Sequence, residues 1–190
     1  NYAKNNEETP EYMILCEGYM DVIALHAAGF ENAVATLGTA ITSEQARIFA
    51  KYTKKVMISY DSDEAGQTAA KKAMRLLSEV GLEVRVLRMN GAKDPDEYIK
   101  KFGRDRFRNV LKDSQSGFHF QLDAVMARHD AGTPEDKIRA ADEVSAIIAE
   151  YRTPVERDVY AGEAAKVLEI DAAVLRNNVA LLVRKKINES

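Results

Sequence analysis

Three short acidic motifs stand where β-rich runs end. Glu17-Gly18 follows the apolar run 12–16, with Asp21 one helical turn further on. Asp61-Ser62-Asp63 follows the run 56–60, and Asp94-Pro95-Asp96 comes after the run 84–87. In an open parallel sheet, ligands gather at the carboxyl ends of the strands, so these distant residues are expected at one edge. Carboxylates crowded together repel one another unless something positive compensates. A hard divalent cation is the natural compensator, because Mg²⁺ takes oxygen ligands and keeps waters or substrate phosphates in its shell. Gly18 allows backbone to come close beside Glu17. Taken singly, each motif has a plainer reading: Asp61-x-Asp63 as a turn capping the next helix, Asp94-Pro95-Asp96 as a helix cap, Glu17-Gly18 as a turn. Their joint placement at one sheet edge carries the metal reading.

The elements that must position these residues are legible as an alternation. Residues 12–16 read as a buried strand and 19–28 as a helix ended by Gly29. Residues 33–36 form a second strand, followed by a turn at Leu37-Gly38-Thr39. Thr42 or Ser43 caps a helix running to Lys51. Residues 56–60 make a third strand, Asp63 opens a helix to about Val80 stopped by Gly81, and 84–87 make a fourth strand. Strands and helices joined by short links predict an α/β fold with a parallel sheet flanked by helices.

From about Pro95 onward the sequence shows no convincing strand. Pro95 starts a helix, and Thr133-Pro134 and Thr153-Pro154 are threonine caps followed by proline and acidic residues. The helix after Thr133 holds Ile138, Ala141, Val144, Ala146, Ile147 and Ile148 inside, and the next carries Val159, Ala164, Ala165 and Leu168. Asp171 caps the last helix, with Val174, Leu175, Val179, Leu182 and Val183 at helical spacing. Two domains follow: residues 11–112, holding the acidic edge, and 113–190, a helical bundle.

Composition narrows the class. With 46% hydrophobic and 30% charged residues in 190, the chain can bury a core and is not disordered. No apolar run approaches the roughly 20 residues of a membrane helix. Asn1 in place of Met marks a piece of a longer chain. The single Cys16 excludes an internal disulfide and a multi-cysteine zinc site, and predicts a cytoplasmic setting. Cys16 reads as a small hydrophobe, Tyr19 as a packing residue, and His26, His119 and His129 as packed or surface residues rather than ligands. The net charge of −3 does not announce a nucleic-acid binder, so such binding would rest on local patches. Lys51, Lys54 and Lys55 form one cluster; Lys100, Lys101, Arg104, Arg106 and Arg108, around Phe102 and Phe107, form another. Both are read first as solvated helix faces.

The runs Glu17-Gly18-Tyr19-Met20-Asp21-Val22, Ala35-Thr36-Leu37-Gly38-Thr39, Ser59-Tyr60-Asp61-Ser62-Asp63-Glu64-Ala65-Gly66 and Lys93-Asp94-Pro95-Asp96-Glu97 resemble, in order and spacing, the TOPRIM domain of bacterial DnaG-type primases. The match is dense over residues 12–110, and the helical remainder is consistent with the helical subdomain of that family. The resemblance implies a TOPRIM fold, a Rossmann-like parallel sheet, followed by an all-helical subdomain. It implies a DNA-dependent RNA polymerase that makes short primers by metal-dependent nucleotidyl transfer in the replisome. By position, Glu17, Asp61 and Asp63 match the principal metal-binding and catalytic acids, and Asp21, Asp94 and Asp96 the further acidic positions. Gly38 is a candidate for nucleotide approach, beside the plainer reading of a tight turn. The implied cofactor is Mg²⁺ or Mn²⁺, with no zinc in this stretch. The implied partners are a single-stranded DNA template, ribonucleoside triphosphates, an RNA–DNA hybrid, and the replicative helicase through regions mostly outside these residues. The family's zinc module and preceding basic subdomain are not in this sequence, so weak priming by this stretch alone is expected. Two readings from other classes stay open: another TOPRIM enzyme that cleaves DNA, or a non-catalytic module docking a replication partner.

Overall fold

The structure is a computed structural model that describes residues 10–36, 41–61, 63–129 and 132–189. The chain divides into two compact units, one ending at Gly117 and one beginning at Phe118.

In the first unit, strands β1 (Met13–Cys16), β2 (Ala33–Ala35), β3 (Lys55–Ser59), β4 (Glu83–Val86) and β5 (Gln115–Ser116) form one sheet in the order β2-β1-β3-β4-β5. The first four are parallel, as their alternation with helices requires; β5 runs antiparallel to β4, pairing Ser116 with Arg85 and Gln115 with Val86. β5 corrects the expectation of no strand beyond Pro95. It is two polar residues long and has no hydrophobic period, so only its pairing with β4 defines it. β1 is buried along its whole length, as a central parallel strand must be.

Helices α1 (Tyr19–Ala27), α2 (Ser43–Tyr52), α3 (Glu64–Glu79) and α4 (Pro95–Lys112) cover the sheet. α1 packs against α4, and α2 against α3. This follows from right-handed crossovers, since α1 leads from β1 toward one edge while α2 and α3 lead toward the other. Ile14, Cys16 and Met57 face the α1/α4 layer, where Phe107 meets Phe30 edge-on at 5.1 Å. By strand alternation Leu15, Val56 and Ile58 face the other layer, where Ala46, Ala70 and Leu77 are buried. α4 is two helices merged across Gly103, whose φ of 78° is a conformation only glycine adopts without strain.

The second unit is four helices: α5 (Gly117–Arg128), α6 (Pro134–Ala149), α7 (Pro154–Leu168) and α8 (Ala172–Glu189). α6, α7 and α8 pack on one another around Ala140, Val144, Ile148, Ala161, Ala164 and Leu175. Small alanines at the contacts let the helices approach closely. The threonine caps form as expected: Thr133 Oγ1 accepts from the Asp136 N–H at 3.3 Å and Thr153 Oγ1 from the Glu156 N–H at 3.1 Å. Glu156 returns the bond to the Thr153 N–H at 2.9 Å, completing a capping box. Asp171 Oδ1 likewise accepts from the Ala173 N–H at 2.8 Å. Ile138 and Ala146 do not lie inside; both are exposed, Ile138 at 62%. Apolar type alone does not place a residue on the inner stripe, and these two sit off it.

Candidate active site

β1 and β3 are neighbours in register, Cys16 opposite Ser59, so the chain leaves both strands side by side. This brings Glu17 and Asp61 together: the Asp61 N–H donates to Glu17 Oε1 at 3.1 Å. α1 begins at once after Gly18 and turns Asp21 back toward the same edge. There Asp21 is 7% exposed, accepting the Gly18 N–H at 3.3 Å and the Asp96 N–H at 3.4 Å. The second bond spans 75 residues of sequence and joins the start of α1 to the start of α4.

Glu17, Asp21, Asp61, Asp94 and Asp96 line one cleft of about 510 Å³, with Gly18, Tyr19 and Met20. Asp63 is placed differently. It is the N-cap of α3, its Oδ1 accepting the Gly66 N–H at 2.7 Å, and it lines an adjoining surface with Glu64, Thr68 and Lys72. Asp94 is also a cap, accepting the Glu97 N–H at 2.7 Å, and Lys93 lies 3.7 Å from it. Asp96 pairs with Lys100 at 2.6 Å. Gly38 lies outside the described residues, as does Ser62.

The electrostatics record the crowding. Burial holds the Glu17 carboxyl above its ordinary value; the Asp61 N–H opposes this, while Asp61, Asp63 and Asp21 add repulsion. Asp21 is raised first by burial and then by Asp94 and Asp61, against the two N–H bonds it accepts. Asp61 is raised by burial, then by Asp94 and Asp63, with Lys93 pulling the other way. The edge therefore holds negative charge that its own cations do not neutralise.

These donors suit a hard cation, being all oxygen and mutually repelling. Among the described residues, however, no three His, Cys, Asp or Glu side chains converge closely enough to cage one ion. The arrangement fits a hydrated cation held by one or two carboxylates, the usual Mg²⁺ mode, rather than an all-protein shell.

Sequence reasoning misread one residue here and passed over another. Tyr19 is not packed but 62% exposed, lining the cleft as the first residue of α1. Gly66 sits in the first turn of α3, where a Cβ would stand 2.2 Å from the Asp61 carbonyl oxygen and 2.8 Å from Glu17 Oε1. A glycine in a helical first turn, with no bend to make, was the available signal for that close approach. The remaining candidates behave as read. His26 Nε2 lies 3.0 Å from the Ala33 carbonyl oxygen, and His119 and His129 pair with Glu163 and Glu143. Burial pushes the Cys16 thiol well above its usual range, as befits a core residue.

Residues 14–99 match a sequence family described as Toprim-like, and residues 118–173 one described as the DnaB-helicase binding domain of primase. A DNA primase of Clostridium acetobutylicum is 37% identical over 160 residues, covering 84% of this chain and 26% of that protein. A crystal structure of a DNA primase domain from Pseudomonas aeruginosa superposes with a TM-score of 0.80 at 26% identity, covering 96% of this chain and 57% of the other. A DnaG primase catalytic domain solved with single-stranded DNA superposes with a TM-score of 0.77 at 27% identity, covering 90% and 55%. The chain belongs to the DnaG-type bacterial primases. It carries the family's Toprim domain followed by its helical region, and spans about a quarter of the length of the Clostridium relative. The match over residues 118–173 bears on the expected helicase contact only through the description of the family it matches.

Proposed function

We propose that this chain is the metal-binding catalytic part of a bacterial primase, which joins ribonucleotides into short primers on a single-stranded DNA template. The observation that carries this is the convergence of five carboxylates from three separate segments on one cleft, with three of them harder to ionise than usual. In the proposed reaction a 3′-hydroxyl oxygen gives up its proton to solvent and bonds to the α-phosphorus of a ribonucleoside triphosphate, and the bond to the departing pyrophosphate breaks. Bound Mg²⁺ or Mn²⁺ supplies neutralisation of the charge on the transferring phosphate. Glu17, Asp61 and Asp63 are the candidates to hold it, one or two at a time, with Asp21, Asp94 and Asp96 in support. The Asp61 N–H fixes the Glu17 carboxylate, and Gly66 lets α3 start close enough for that bond to form. The Asp21–Asp96 bond holds the third acidic segment at the same edge. The setting is the cytoplasmic replisome, and the helical unit docks the replicative helicase, a role supported by the family match over residues 118–173.

The test is Mn²⁺ binding by calorimetry to this chain beside Asp61→Ala/Asp63→Ala, with primer synthesis measured in the full-length parent. The expected result is binding lost in the variant with an unchanged circular dichroism spectrum, and synthesis lowered by about 10²–10³-fold or more. Equal binding and normal synthesis in the variant would overturn the assignment.

A further inference from the structure

Both helical layers of the Toprim unit carry exposed basic residues, some paired and some not. On α4, Lys100 pairs with Asp96 at 2.6 Å, Lys101 with Glu97 at 2.6 Å, and Arg108 with Asp105 at 3.2 Å, while Arg104, Arg106 and Lys112 have no ion-pair partner among the described residues. On the opposite layer, Arg75 pairs with Glu79 and Lys55 with Glu83. Among the described residues, Arg47, Lys51, Lys54, Lys71 and Lys72 in that layer are exposed and have no ion-pair partner. The unpaired carboxylates on α2 and α3 are Glu44 and Glu64, so this layer is locally positive on a chain whose net charge is −3. Long cations left unpaired on a surface are available to bind a polyanion, whereas i,i+4 pairs already satisfy one another.

Position gives the polyanion a direction. α3 starts at Asp63, on the acidic edge, and its exposed side leads from there to Lys71 and Lys72. A concave surface of about 700 Å³, lined by Asp63, Glu64, Ala65, Thr68, Ala69 and Lys72, connects the two. Nine residues of helix span roughly 13 Å at about 1.5 Å each. A duplex advances about 3.4 Å per base pair, so that distance is about four base pairs. A duplex whose growing end lies at Asp61 and Asp63 would thus bring backbone phosphates beside Lys71 and Lys72.

We propose that the exposed face of α2 and α3 is a backbone-binding track for the primer–template duplex leaving the acidic edge. Lys71 and Lys72 are its first phosphate contacts, and Arg47, Lys51 and Lys54 its flank. The direction of travel rests on the catalytic reading of that edge; the phosphate binding itself does not.

The experiment is fluorescence anisotropy of a labelled RNA–DNA hybrid of about one helical turn with this chain, in EDTA, between about 25 and 200 mM salt. Lys71→Glu/Lys72→Glu is compared with Lys166→Glu/Arg184→Glu, an equal charge change in the helical unit. The expected result is at least about tenfold weaker binding for the first variant, with the log–log salt slope reduced by about two, and under about threefold change for the second. Lys71→Gln/Lys72→Gln, with a smaller loss in the same direction, guards against misfolding in the charge reversal. Equal weakening by both pairs, or no binding by the unaltered chain at the lowest salt, would overturn the track. Working in EDTA keeps the result independent of the metal site, and normal synthesis by the acid variants would sink the catalytic reading alone.

Discussion

The two units are built on opposite terms. In the helical unit, local sequence and tertiary packing agree. Threonine and aspartate caps stand where the chain turns, and Arg128 and His129 meet Glu143 while Arg176 meets Asp158. In the Toprim unit, the carboxyl edge goes against local preference. Acids that would each be better solvated apart are held together by backbone N–H bonds and by Gly66, where a Cβ would stand within 3 Å of Asp61 and Glu17. Such a conflict between local and global preference is expected where a structure serves a site rather than its own stability. The difference shows where in this molecule stability is set against chemistry.

Two helical glycines sharpen this comparison most. Gly66→Ala drives a Cβ into the Asp61 carbonyl and should destabilise the Toprim unit by about 1–3 kcal/mol or more, separating Glu17 from Asp61 as it does so. Gly162, in α7, has among the described residues only the Arg176 guanidinium near its Cβ position, at 3.7 Å. Gly162→Ala should therefore stabilise the helical unit by about 0.5–1 kcal/mol. Native-state hydrogen exchange, read separately for the two units, checks both. A neutral Gly66→Ala, or a destabilising Gly162→Ala, would break the contrast.

The smallest expected effect is the pH response. Glu17, Asp21 and Asp61 have carboxyls raised above their unfolded values, so the folded chain binds their protons more tightly. Once ionised they subtract stability, and the stability of the metal-free Toprim unit should rise as pH falls from neutral toward the carboxylate range. Glu97, held low by its bond with Lys101, acts in the opposite sense and below that window. Asp21→Asn should melt higher than the unaltered chain at neutral pH in EDTA, and with a shallower pH dependence. A variant that melts lower at neutral pH, with the pH dependence unchanged, would mean that the edge is not under repulsion.

Much of this was legible in the sequence because the signals are local. Short apolar runs gave β1, β3 and β4, and the acids following them gave the candidate site. Thr42, Asp63, Thr133 and Thr153 marked helix starts, since a cap is a bond between residues three apart. The family resemblance added which acids matter, which spacing alone does not say. Elements without a period escaped: β5 is defined by its partner strand, and Gly103 interrupts a helix whose flanks both read as helical.

By itself the sequence determined the order of the elements and the delivery of carboxylates to the ends of strands. Those follow from backbone preference and hydrophobic period, which act within a few residues. Tertiary structure alone decided which carboxylates share a cleft, and that Asp63 caps α3 while Asp21 reaches Asp96 across 75 positions. It also decided that Gly66 must have no side chain, that Tyr19 is exposed, and that Lys100 and Lys101 are paired while Lys71 and Lys72 are not. The reason is the same throughout: repulsion, close contact and ion pairing depend on distances between residues far apart in the chain, and only the folded sheet sets those distances.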